Sequence, residues 1–393
     1  MSTSDNPELE AAKDYRAQQQ KHFKTDDSYR LRLEPDQLDA AVEFIKKQFP
    51  DTVLPDLRQN ILSKMGAKVA PEDDPLTHIS FESEAREIEK VISGLGLSLR
   101  SGVSVGILHG DHLEAMQMPV ISTQASVIMM TRHLTTLIYR LAKLFARTVI
   151  MGPTNGDVIE MIWDAKPVMK SLMADTELRR DWGMFFLDYC TNPKTPDIGR
   201  SIKITGDRQI HLIGDIDEAM TWFVLAHEYS HHVLEHSWGG TAGAGGEASS
   251  ISQAKETEAD VLGSVICMLL GQNNPRGPNH CAKTNVGAVL ILSVLDFIKR
   301  GYQIMLTGDE KGYRKDQKHP PLADRLATIA NVTREFIESH CPGEQEGLDA
   351  YLKQQADVAE LIGAIWSDNR SFLLHAYAVG KRGVADHQDW LPS

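Results

Sequence analysis

The chain has 393 residues, 42 % of them apolar and 29 of them glycine, which allows two or three domains and rules out wholesale disorder. Lys and Arg number 41 against 54 Asp and Glu, a net charge of −13, and this argues against a basic nucleic-acid-binding surface. The four cysteines, Cys190, Cys267, Cys281 and Cys341, stand far apart without a CxxC pair. They fit buried free thiols in a reducing compartment better than a thiolate zinc site or a disulfide framework.

In chain order, Met1–Lys13 is polar and acidic and lacks the apolar stretch of a signal peptide. Pro35–Gln48 and Ser83–Gly94 alternate apolar and charged residues at helical spacing, and Gly102–Leu108 is β-rich. A long helix is expected over about 122–146, where Ile128, Leu134, Leu137, Ile138, Leu141 and Leu144 recur at steps that suit one helix face. Pro153–Gly156 marks a turn, and a further helix follows to about Cys190. Ser201–Thr205 and Gln209–Ile213 read as two short strands joined around Gly206 and Asp207, a β-hairpin. Asp215 and Glu218 form a capping box that opens a helix to about Glu235. Trp238–Ser250 is Gly-rich and reads as a flexible loop; a helix over Ser252–Leu270 ends at Gly271. Val286–Leu306 is the most apolar helix, followed by a polar loop to His319-Pro320-Pro321 and closing helices. Its longest apolar run, Val286–Ile298, contains Ser293 and Asp296 and is shorter than the roughly 20 residues of a membrane span. The expectation is a soluble, most simply cytoplasmic protein of the mainly α (α+β) class with a small β-sheet or hairpin.

The chemistry is concentrated in Thr221–Ser237, TWFVLAHEYSHHVLEHS. His227-Glu228-Tyr229-Ser230-His231 is an HExxH motif, and on a helix its two imidazoles differ by about 40° in direction and face one ion. Glu228 lies about 100° round from His227, in reach of a water at the metal without being a ligand. The motif sits among Trp222, Phe223, Val224, Leu225 and Ala226, where unpaired ionisable groups are costly. His232 and His236 form a second pair four apart, but Val233 stands where a base would be, so they read as surface residues or supports, His236 the more interesting. Leu234 and Ser237 occupy the positions where a metzincin has Gly and His, which excludes that class.

A hydrolytic zinc needs a third protein ligand and an open position. Lys255–Gly263, KETEADVLG, supplies it from a following helix. Glu256 and Asp260 share a face with Gly263 and Cys267, so Glu256 is expected to bind the metal and Asp260 to hold the ring N–H of a ligand histidine. Glu258, the competitor, lies about 200° away from Glu256 and is expected to be solvated. Small Gly263 allows the two helices a close approach.

These segments resemble the gluzincin metallopeptidases, in particular the HtpX and CAAX-prenyl-protease group. HEYSHHVLEH (His227–His236) is similar to that group's HExxH with a histidine five residues on, ETEAD (Glu256–Asp260) to its ExxAD, and HPPLADRL (His319–Leu326) to its late HPP…R segment. A more distant resemblance is to the soluble Lit-type phage-exclusion proteases. The resemblance implies a zincin-like core over 196–335, with an N-terminal, mostly helical region over 1–195 of unassigned role and a C-terminal helical segment over 336–393. It also implies that His319 contacts substrate or the developing oxyanion and that Arg325 braces the site. The expected function is a zinc endopeptidase using metal-activated water with Glu228 as general base, acting on a protein or peptide. The rival is a catalytically silent zincin fold serving as a regulator or binding module. The hairpin at 201–213 is the expected strand edge for an extended substrate.

Overall fold

The computed structural model describes residues 6–22, 75–108, 113–155, 158–191, 202–204, 207–237, 246–311, 319–340, 343 and 347–383. The helix expected over Pro35–Gln48, most of the Gly-rich segment and Cys341 lie outside the described residues. Helix α1 (Pro7–His22) and helix α2 (Pro75–Gly94) precede three strands, β1 (Val103–Leu108), β2 (Ala115–Pro119) and β3 (Ser126–Thr131). The strands form one sheet in the order β1-β3-β2, with β1 parallel to β3 and β2 antiparallel to it.

Central strand β3 is buried on both faces. Val127 and Met129 pack with Ala12 of α1, whereas Ile128 and Met130 join the main core. Such a strand reads as an unbroken apolar run, which is why the sequence pattern extends a helix back to about residue 122. The helix, α3 (Arg132–Thr148), instead opens at Thr131, whose side chain accepts the N–H of Leu134 as a cap. The outer edge of β1 is covered by side chains of α1: Arg16 donates to Val105 O and Gln20 to Ile107 O at 2.9 Å. Residues four apart on a helix and two apart on a strand rise by similar distances, so one helix face saturates the carbonyls of this edge.

Two antiparallel strands, β4 (Ile150–Asn155) and β5 (Val158–Ile162), flank the turn read at Pro153–Gly156, and α4 (Ala165–Ala174) and α5 (Thr176–Thr191) follow. Helix α6 runs from Asp207 to Val233 without a break. Gln209–Ile213 is therefore helical, and the described part of the other expected strand, residues 202–204, is not a strand. The reason is visible in the burial: Leu212, Ile213, Ile216, Ala219, Met220 and Phe223 are all buried at three- and four-residue steps. The helical stripe outweighs the local β propensity.

The remaining helices are α7 (Gly246–Gln272), α8 (His280–Lys283), α9 (Val286–Thr307), α10 (Leu322–His340) and α11 (Leu348–Ala378). Helix α7 packs along α6 and α9 crosses beneath it, both at glycines. A Cβ on Gly263 would meet the backbone N of His227 at 3.1 Å, and one on Gly287 would meet the carbonyl carbon of Ala219 at 2.7 Å. One apolar core runs continuously from Phe81 to Ala376. Cys190, Cys267 and Cys281 are free and buried in it, and burial pushes their thiols far up. No helix among the described residues is long and apolar enough to cross a membrane.

Candidate metal centre

The site lies where the C-terminal third of α6 meets the middle of α7. The close approach at Gly263 sets His227 and His231 opposite Glu256. His227 Nε2 is 3.2 Å from His231 Nε2 and 3.2 Å from Glu256 Oε2, and His231 Nε2 is 3.4 Å from Glu256 Oε1. Among the described residues these three are the group whose nitrogen and oxygen atoms converge closely enough to hold a metal ion. The fit to zinc can be tested on these spacings. Tetrahedral zinc with bonds of about 2.0–2.1 Å separates its ligand atoms by about 3.3–3.4 Å, so the donor set matches in both chemistry and spacing. Glu256 Oε2 is also buried without a hydrogen-bond donor of good geometry, the state of a carboxylate oxygen whose partner is a cation.

Each donor is held from behind. His227 Nδ1 faces Asp260 Oδ1 at 3.0 Å, and Asp260, fully buried, accepts two hydrogen bonds from Arg325 of α10, at 2.7 and 2.6 Å. Burial alone would raise the Asp260 carboxyl, but the Arg325 guanidinium and His227 hold it well below the usual range. Burial would lower His227, and the carboxylates of Asp260 and Glu256 reverse this, raising it to about 10. Burial next to His227 in turn takes His231 down to about 3. The cluster is thus a socket for one positive charge, which a metal ion satisfies in place of a proton.

His231 Nδ1 lies 2.8 Å from Nδ1 of His236, and His236 Nε2 lies 2.9 Å from Glu258 Oε2. With His231 Nε2 turned to the ligand cluster, its Nδ1–H donates to His236, and the Nε2–H of His236 donates to Glu258. Glu258 is 64 % exposed but is not the idle surface charge its helix position suggests. The turn after α6, where Glu235 adopts a positive φ of 60°, brings His236 back over His231.

Glu228 is buried at 8 % exposure beside the cluster. Burial, aided by Glu256, raises its carboxyl to about 7 against the opposing effects of His227 and a hydrogen bond from the backbone N–H of Gln117. A cavity of about 500 Å³ opens in front of His227 and Glu228. Leu134, Phe223, Val224, Leu292 and Leu295 form much of its apolar wall, and His319 closes the far side, 3.4 Å from Glu256 Oε2. The expected site residues His227, Glu228, His231, Glu256, Asp260, His236, His319 and Arg325 are therefore all brought to one place. Sequence reasoning missed the contribution of β2, because Gln117 acts here through its backbone and leaves no signature in side-chain chemistry.

An HExxH helix, a glutamate from the next helix and a buried carboxyl facing a cleft define a candidate metallohydrolase site. Residues 182–340, which include every one of these side chains, match the family model of peptidase U49. That is the Lit protease family, so the match supports a peptidase and falls on the more distant of the two resemblances read from the sequence, not on the HtpX group. No curated protein and no solved structure matches the chain.

Proposed function

We propose that the chain is a zinc-dependent endopeptidase that cleaves a protein or peptide with Glu228 as general base. The observation that carries this is the near-tetrahedral spacing of His227, His231 and Glu256 beside a buried Glu228 at the cleft wall. A zinc ion held by these three residues would supply Lewis acidity toward the scissile carbonyl and the attacking water. Glu228 takes a proton from that water and later hands it to the leaving amine; a carboxyl near pH 7 in affinity suits both transfers. Asp260 and Arg325 hold the His227 ring in the tautomer with Nε2 bare, and His236 does the same for His231. His319 is proposed to donate to the substrate's carbonyl oxygen from the opposite wall.

The strand edge for substrate moves from the expected hairpin, which is helical, to β2. Thr131 N donates to Glu114 O and Val120 N to Ala125 O, so alternation along the antiparallel pair turns the backbone groups of Ala115 and Gln117 away from β3. Ala115 lines the cavity, and an extended peptide adding there would pass in front of Glu228. The silent-regulator reading has no use for a base at Glu228. Mass-spectrometric mapping of new N-termini in unfolded casein tests the choice: wild type with zinc generates them, and Glu228→Gln, retaining zinc, does not. Equal cleavage by Glu228→Gln would overturn the mechanism.

A further inference from the structure

A second polar chain, separate from the ligand cluster, runs through the sheet to the back of Glu228. His232, fully buried, turns away from the cleft. Its Nε2–H donates to Leu99 O at 2.9 Å, which leaves Nδ1 as acceptor. Ser126 Oγ, also fully buried, lies 2.7 Å from that Nδ1 and donates to it. Arg100 approaches the same Nδ1 at 3.1 Å and donates to the His232 carbonyl. Ser126 Oγ in turn accepts from Gln117 Nε2 at 2.6 Å, and Gln117 Oε1 accepts from the hydroxyl of Ser237, just beyond α6. Every donor from His232 to Ser237 thus finds an acceptor in one consistent direction. The chain ties β3 and β2 to the helix that carries Glu228, and it ends on the residue whose backbone N–H meets that carboxylate.

We propose that His232, Ser126 and Gln117 are positioning residues that hold the edge of β2 so that the Gln117 N–H orients the Glu228 carboxylate toward the cleft. The inference rests on Glu228 being the general base. A short edge strand would otherwise be free to shift against α6. The Gln117 side chain, gripped on one end by β3 and on the other by the turn after α6, removes that freedom. A base misplaced by about 1 Å costs turnover without costing binding of the remainder of the substrate.

The test reads the backbone directly. Residue-resolved amide exchange of the full chain is measured for wild type, Ser126→Ala, Gln117→Met and Glu228→Ala, with zinc content and unfolding midpoint recorded for each. The expected result is exchange at position 117 about tenfold faster in all three variants, the worth of one hydrogen bond, with position 115 and zinc content unchanged. On unfolded casein, Ser126→Ala and Gln117→Met should lower kcat about tenfold at constant KM. Unchanged exchange at position 117 in Ser126→Ala and Gln117→Met would overturn the proposal, as would loss of zinc or a collapsed midpoint in both. Absence of casein cleavage by wild type would count against the peptidase reading alone, since the exchange result stands without it.

Discussion

Asp260 has no exposed surface, and its two oxygens are taken up by Arg325 and His227. Removing the guanidinium leaves a buried charge with half its partners, a loss of about 3–5 kcal/mol. Arg325→Leu should therefore unfold at markedly lower urea than wild type, and Asp260→Asn in the same chain should recover part of the loss. Asp260→Asn alone should weaken zinc binding by about 10–100-fold, as supports behind histidine ligands do; a chelator competition measures it. His236→Ala should weaken zinc similarly, because it leaves His231 Nδ1 without its partner, and unaltered affinity would detach that ring from the site. The pairing of Asp260 with a ligand histidine was legible in the four-residue step from Glu256. The role of Glu258 was not, since it depends on a reverse turn at Glu235 that no helix wheel contains.

Between α6 and α7 the decisive residue is Gly263. A methyl group there meets the His227 backbone at 3.1–3.2 Å, and a backbone inside two packed helices cannot yield cheaply. Gly263→Ala should cost about 1–3 kcal/mol and move Glu256 away from the histidines, so zinc affinity and the thermal midpoint should fall together. At the other end of α6 the contact with α2 carries an electrostatic load. Glu84 is raised to about 8, first by burial and then by Asp217 and Glu218, with Ser80 and Arg276 opposing. The folded state binds this proton more tightly than the unfolded chain does. Its stabilising effect is complete below about pH 4.5 and disappears as pH rises through about 8. Glu84→Gln should thus melt at least about 3 °C above wild type at pH 9, with the gap closing toward pH 5. Elements with one buried face, such as α3 from Leu134 onward and α9, are plain in the sequence. Strand β3 and the first turns of α6 are not, because tertiary burial decides between helix and strand there.

Across the whole molecule, the sheet presents two different edges. The β1 edge is sealed by Arg16 and Gln20 of α1, whereas the β2 edge borders the cavity in front of Glu228. The half of the chain that the family match does not cover therefore supplies a wall of the site. The metal-binding residues could be read from spacing because they lie on two helices close in sequence. The wall could not, because β2 precedes Glu228 by about a hundred residues and acts through backbone groups. The most direct measurement is zinc stoichiometry of the purified chain and of His231→Ala after loading and dialysis. About one zinc per chain in wild type and almost none in His231→Ala is predicted. A wild-type chain that holds no zinc, or a His231→Ala chain that holds it fully, would contradict the assignment of His227, His231 and Glu256 as a zinc centre.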